Sequence, residues 1–193
     1  MFEPAVESFR ALLPMATPRA GHVAIRLTDG RVLVAGGERP GGVLDAVEIF
    51  DPARGRFASA PALAVARTDA AGVLLLDGRV LIVGGWDGLE PLASTELVDP
   101  RTGRADAGPA LSTRRRGCTA TVLDDGRVLV AGGWDGTGEL ASTEAYLPTE
   151  CRFVPVPSGL AVGRAFPLAI PLTHNGGVVF VGGAPSAAAE CFL

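Results

Sequence analysis

A chain of 193 residues, 48% of them apolar, holds enough hydrophobic material for a substantial core, and its formal net charge of −4 comes from dispersed charges of both signs. That argues against a nucleic-acid surface, which needs a broad positive field: the densest basic cluster is the short run Arg114-Arg115-Arg116. All 17 basic residues are arginine, a bias of composition rather than a phosphate-binding design. The apolar runs are too short to cross a bilayer. Met1-Phe2-Glu3-Pro4 has neither the basic start nor the apolar stretch of a secretory signal, so a cytoplasmic location is the default unless a cloning boundary removed one.

In chain order, Phe2-Glu3-Pro4 and Phe9 come first and stay unexplained until the rest is read. His22 to Leu27 reads as a strand, turning at Asp29-Gly30 into a second strand, Arg31 to Ala35, closed by the doublet Gly36-Gly37. Asp-Gly between apolar runs favours a tight antiparallel connection, because the turn needs positive φ. A variable loop over 38–46 leads to a third strand, Ala46 to Phe50, stopped at Asp51-Pro52, where proline cannot donate a ladder bond. Arg56-Phe57-Ala58-Ser59 supplies a fourth strand.

The same order then returns. The doublets recur as Gly84-Gly85, Gly132-Gly133 and Gly182-Gly183, at intervals of 48, 48 and 50 residues. Turns are expected at Asp77-Gly78, Asp125-Gly126 and Asn175-Gly176, and third strands around Glu96, Glu144 and Glu190. Asp99-Pro100 and Leu147-Pro148 end the third strands of the middle units, and fourth strands follow near Arg104 and at Arg152-Phe153. No segment has a convincing helical period, so the chain is all-β, an array of small sheets. The N-terminal residues now fit: Phe2-Glu3-Pro4 is in phase with Phe50-Asp51-Pro52, and Phe9 with Phe57. The start supplies a fourth strand, and Ala189 to Leu193 supplies a third, so joining the two completes four units. Such joining removes exposed sheet edges. It leaves open a four-unit ring in one chain, which is favoured, two chains exchanging ends to make eight units, or a section of a longer array.

An apolar strand, a glycine doublet, a variable loop, a Glu-containing third strand and an aromatic fourth strand together resemble the kelch family, over essentially the whole chain. Asp-Gly-Arg-Val-Leu before the doublet, as in residues 29–37 and 125–133, is closest to its bacterial form. The resemblance implies a β-propeller of four four-stranded blades, closed by pairing the N- and C-terminal strands. It would be a single propeller over 1–193, with blade phases of about 15–62, 63–110, 111–158, and 159–193 together with 1–14. It departs from the family in having only four blades, and in Leu147 and Ala105 where an acid and an aromatic are usual.

The resemblance also implies that first strands line a central channel, and that the arginines entering them can recognise acidic peptides at one mouth. Here that column is Arg19, Arg67, Arg115 and, one position out of phase, Arg164. Arginine's planar fork suits a carboxylate. The same side chains could instead bridge blades through the repeated Glu48, Glu96, Glu144 and Glu190. Arg114 and Arg116 break the repeat and would mark one asymmetric side. Trp86 and Trp134 open the second and third variable loops, placed either to stack on a ligand or to pack on each other. The doublets Gly36-Gly37, Gly84-Gly85, Gly132-Gly133 and Gly182-Gly183 read as structural, since no helix or Lys-Ser/Thr follows them.

No catalytic group assembles. His22 and Cys118 share a repeat column with Ala70 and Leu168, His174 precedes a turn, and Tyr146 alone cannot make the tyrosine-rich copper centre of one kelch-like branch. Cys118, Cys151 and Cys191 suggest neither a disulfide framework nor a metal site, and no cofactor is expected. The reading is a non-catalytic protein-interaction scaffold for an acidic peptide, with a carbohydrate-binding or acidic-sugar-isomerase-like propeller as the alternative and a structural repeat fragment as a third.

Overall fold

The computed structural model describes residues 2–3, 7–172, 176–185 and 188–192. It is all-β among these residues, a four-bladed β-propeller of antiparallel sheets. Strands β1 (Phe2–Glu3) and β2 (Ser8–Phe9) form a short ribbon ahead of the blades. Blade 1 is β3 (Val23–Arg26), β4 (Val32–Ala35), β7 (Val47–Asp51) and β8 (Arg56–Ala60), with the small hairpin β5 (Glu38–Arg39) and β6 (Gly42–Val43) in its variable loop. Blade 2 is β9 (Ala71–Leu74), β10 (Val80–Val83), β11 (Thr95–Asp99) and β12 (Arg104–Ala107). Blade 3 is β13 (Thr119–Val122), β14 (Val128–Ala131), β15 (Thr143–Leu147) and β16 (Arg152–Val156). Blade 4 is described as β17 (Leu168–Pro171), β18 (Val178–Val181) and β19 (Ala189–Phe192).

In blades 2 and 3 the second strand is internal to the sheet and buried on both faces, which is why it reads as an unbroken apolar run rather than an alternating one. Alternate residues along it serve successive interfaces. Val80 and Ile82 pack toward blade 1 with Leu33, Ala35 and Leu63, whereas Leu81 and Val83 pack toward blade 3 with Val128, Val130 and Leu111. Leu129 and Ala131 then meet Val178 and Phe180 of blade 4. Outer strands are held by aromatic pairs in blades 1 and 3, Phe50 on Phe57 at 5.0 Å and Tyr146 on Phe153 at 5.2 Å between centroids. In blade 2 the same register places Val98 opposite Ala105.

The tight, positive-φ Asp-Gly connections are present, and one expectation is corrected. The Asp-Gly turns are three-residue loops: the Leu27 N–H donates to Arg31 O, the Gly30 N–H donates to Leu27 O, and only the glycine, at φ 85°, is left-handed. The aspartate acts instead as a clamp. Asp29 accepts from the Arg31 N–H at 3.0 Å and from its Nε at 2.8 Å, and these bonds hold its carboxyl below the usual range, the backbone bond contributing most. Asn175 and His174 lie outside the described residues. The correction is that β1 pairs with β2, in the register that Phe50–Phe57 and Asp51–Arg56 take in blade 1, while β19 pairs with β18. Among the described residues the N- and C-terminal strands therefore do not pair with each other. The N-terminal segment satisfies its ladder bonds within its own ribbon.

Candidate ligand-binding mouth

The phased arginines lie inside the blades. Arg67, Arg115 and Arg164 are among the most buried side chains in the chain. Arg115 Nη1 donates to Gly132 O and Ser142 O at 2.8 and 3.1 Å, Nη2 to Ser142 Oγ and Glu144 Oε1 at 3.2 and 2.8 Å, and Nε to Thr113 O at 3.3 Å. Glu144 in turn accepts from the Ser112 N–H at 2.8 Å. Arg67 with Glu96 and Arg19 with Glu48 repeat the arrangement. Each pair staples the crossover that enters a blade onto that blade's central strands. Arg164, out of phase in sequence, reaches Gly182 O, Ala188 O and Glu190 in the same way. None of these guanidiniums faces the mouth.

The mouth is built by the loops that follow the doublets. Trp86 and Thr68 exchange backbone bonds at 2.8 and 2.9 Å, as do Trp134 and Arg116 at 2.9 and 3.0 Å, so each tryptophan is tied to the crossover before its blade. Asp87 Oδ1 accepts from the Leu89 and Glu90 N–H groups at 2.7 and 2.8 Å, which tightens the loop and lowers the Asp87 pKa. Asp135 does the same through Thr137 and Gly138. The two indoles of successive blades thereby meet, with centroids 6.1 Å apart and planes tilted by 42°.

Arg116 lies over both rings, with Cζ 5.0 Å from one centroid and 5.1 Å from the other. Its Nε is buried without a hydrogen-bond partner, and among the described residues its guanidinium makes no ion pair. The repeat gives it this place: Ala20, Thr68 and Ala165 fill the same column in the other blades. Arg114, next to it, is paired with Glu90 at 2.6 Å on the exposed rim. Asp69 completes the neighbourhood, its carboxyl pushed up by burial against the pull of Arg116.

Residues 67–104 and 115–159, spanning blade 2 and blade 3, match the Kelch motif. Those two stretches carry kelch motifs and make up 83 of the 193 residues. No curated protein matches the chain. At Gly36, with φ 65°, a Cβ would stand 2.3 Å from the Arg67 carbonyl oxygen of the next crossover, so the doublet there needs glycine.

His22 and Cys118 both line a pocket of about 290 Å³ at the channel, with Asp69 and Phe166. Burial pushes the Cys118 thiol up to about 11, the opposite of what a nucleophilic thiolate needs. With Cys118 buried and Cys151 and Cys191 exposed, a thiol reagent at pH 8 is expected to modify two cysteines rapidly and the third only on denaturation. Rapid reaction of all three in the native protein would contradict the burial of Cys118. A larger cleft of about 520 Å³, which sequence reasoning did not anticipate, opens between the Asp-Gly hairpins of blades 2 and 3 and includes Leu76, Asp125, Arg127 and Pro148. Its charged groups are already paired, Asp77 with Arg79 at 2.7 Å and Asp125 with Arg127 at 2.6 Å. Among the described residues no helix is long and apolar enough to cross a membrane.

Proposed function

We propose that this kelch propeller is a non-catalytic protein-interaction scaffold that takes a carboxylate of an acidic peptide on Arg116, at the mouth formed by the Trp86 and Trp134 loops. Kelch propellers commonly serve as interaction scaffolds. The observation that carries the reading is a guanidinium held over two indoles that makes no ion pair among the described residues. The rings fix its plane, so little side-chain entropy remains to be lost when a carboxylate docks. The acidic-peptide role thus moves from Arg19, Arg67, Arg115 and Arg164, which are committed to internal glutamates, to Arg116, an arginine that departs from the repeat. The indoles are turned toward Arg116, which disfavours the carbohydrate alternative.

The test is fluorescence anisotropy with a labelled set of Asp/Glu-rich peptides and their Asn/Gln counterparts, at two salt concentrations. Acidic peptides are expected to bind better than the amide versions and to weaken with salt. Arg116→Ala should reduce their affinity about 10- to 100-fold, the scale of one charge-assisted contact. Equal binding of acidic and amide peptides would overturn the reading, and so would unchanged affinity in Arg116→Ala. Saturable binding of acidic sugars in place of peptides would favour the carbohydrate reading instead.

A further inference from the structure

We infer that the outer faces of blades 1 and 4 are a matched docking surface for a second copy of this chain, giving a closed eight-bladed ring from two chains. The argument rests on how successive blades join. At each junction the second glycine of a doublet donates its N–H to the column arginine's carbonyl in the next crossover: Gly37 to Arg67, Gly85 to Arg115 and Gly133 to Arg164, at 2.8 to 2.9 Å. Two residues beyond each arginine, an N–H returns to the preceding blade: Asp69 to Gly21 O, Gly117 to Asp69 O and Phe166 to Gly117 O, at 2.7 to 2.9 Å. Every junction is thus one donor and one acceptor meeting one acceptor and one donor.

Extended by one step, the rule leaves the Gly183 N–H and the Phe166 carbonyl on blade 4, and the Arg19 carbonyl and the Gly21 N–H on blade 1. The two ends are complementary in the same sense as the three internal junctions. Among the described residues they are not bonded to each other. The first glycine of each doublet reports the same gap. A Cβ at Gly36, Gly84 or Gly132 would stand 2.3 to 2.6 Å from the next crossover's carbonyl, whereas at Gly182 none of the described residues comes within 4 Å.

Side chains agree with the backbone. Ala71, Val73 and Val83 of blade 2 are buried against blade 3. Their counterparts in blade 4, Leu168, Ile170 and Val181, are 61%, 44% and 41% exposed. Those columns were filled with large apolar residues and left uncovered. On blade 1, Val32, Val34 and Phe50 occupy the columns that Val80, Ile82 and Val98 use to meet a preceding blade.

The occupant that fits blade 4 is therefore a blade 1, with its own crossover. That crossover is already shaped: Glu48 accepts from the Ala16 N–H at 2.8 Å as Glu96 accepts from Ala64 at 2.7 Å. It leads back to Phe9, which is 83% exposed and stands in the phase of Phe57. Phe192 pairs with Val178 as Phe50 pairs with Val32, so it is the blade 4 member of the aromatic column. Propellers typically close with four to eight blades. Eight blades from two copies of a chain not joined end to end among its described residues stay within that range, related by a two-fold axis that makes both junctions identical.

The test is the solution mass of the full 193-residue chain by light scattering across a concentration series, with Gly182→Ala and Leu168→Asp as variants. The wild type is expected at twice 19.7 kDa. Both variants should fall to the monomer mass with their strand circular dichroism retained, because one places a methyl where the incoming Arg19 carbonyl must sit and the other buries a charge. A wild type that stays at 19.7 kDa at every concentration would overturn the inference. Open-ended growth would overturn closure at eight blades, and a dimer indifferent to both substitutions would place the interface elsewhere.

Discussion

Arg115→Ala is expected to lower stability by about 3–5 kcal/mol, the cost of removing one partner from a buried ion pair. The guanidinium side chain has no solvent exposure and Glu144 has almost none, so deletion leaves a carboxylate in a dry site with little beyond the Ser112 N–H to meet it. Two carbonyls, Gly132 O and Ser142 O, lose their side-chain donor at the same time. The loss also releases the crossover that joins blades 2 and 3, since both Glu144 and Arg115 bond to its backbone. Urea denaturation at one fixed protein concentration measures the effect. Arg127→Ala is the control, removing an exposed pair with Asp125 that is worth no more than about 1 kcal/mol. The double variant Arg115→Met with Glu144→Leu should lose less than Arg115→Ala alone, because no charge is left unpaired. If Arg115→Ala proves no more damaging than Arg127→Ala, the pair is not held dry and its structural role fails.

The blades were legible because two local rules coincide at each repeat. Glycine doublets mark where a following crossover comes too close for a Cβ, and proline marks where the third strand stops, one residue beyond Asp51 and Asp99. The phase of Phe2 and Phe9 also carried through, since the ribbon takes the register of Phe50 and Phe57. The arginine column was harder. Periodicity shows that a residue obeys the repeat, but not whether its side chain points to solvent or to a glutamate 29 residues later. Arg164 looked displaced because blade 4 inserts residues on both sides of it, yet its Nη groups reach two carbonyls and a glutamate as those of Arg115 do. The Arg116, Trp86 and Trp134 cluster was present only as separate candidates. Its assembly depends on the bridges from Thr68 to Trp86 and from Arg116 to Trp134, which link segments 18 residues apart. The available signal was a break in the pattern, an arginine where the column otherwise holds alanine or threonine. Strand pairing between the ends was expected from phase alone, and phase cannot distinguish closure within a chain from closure between chains.

Gly84→Ala and Gly182→Ala should differ sharply, although both glycines occupy the same column with nearly the same backbone, φ 61° and 64°. Alanine at either position takes on left-handed strain of about 1–2 kcal/mol. At Gly84 the new methyl would also lie 2.3 Å from the Arg115 carbonyl oxygen, a backbone atom fixed by its bond from the Gly85 N–H at 2.9 Å. Relief requires blade 3 to move away from blade 2, opening the cluster that holds Leu81, Val83 and Val128, and overpacking of this kind adds about 1–3 kcal/mol. The expected total at Gly84 is about 2–5 kcal/mol, against about 1–2 kcal/mol at Gly182, where the described residues leave the space open. The comparison is made by urea denaturation at a concentration low enough for both variants to be monomeric, so that loss of association does not enter. Equal destabilisation at the two positions would mean that something covers the blade 4 face within a single chain. A large difference at low concentration that narrows as concentration rises would show the Gly182 methyl meeting the same obstacle across a junction between two chains.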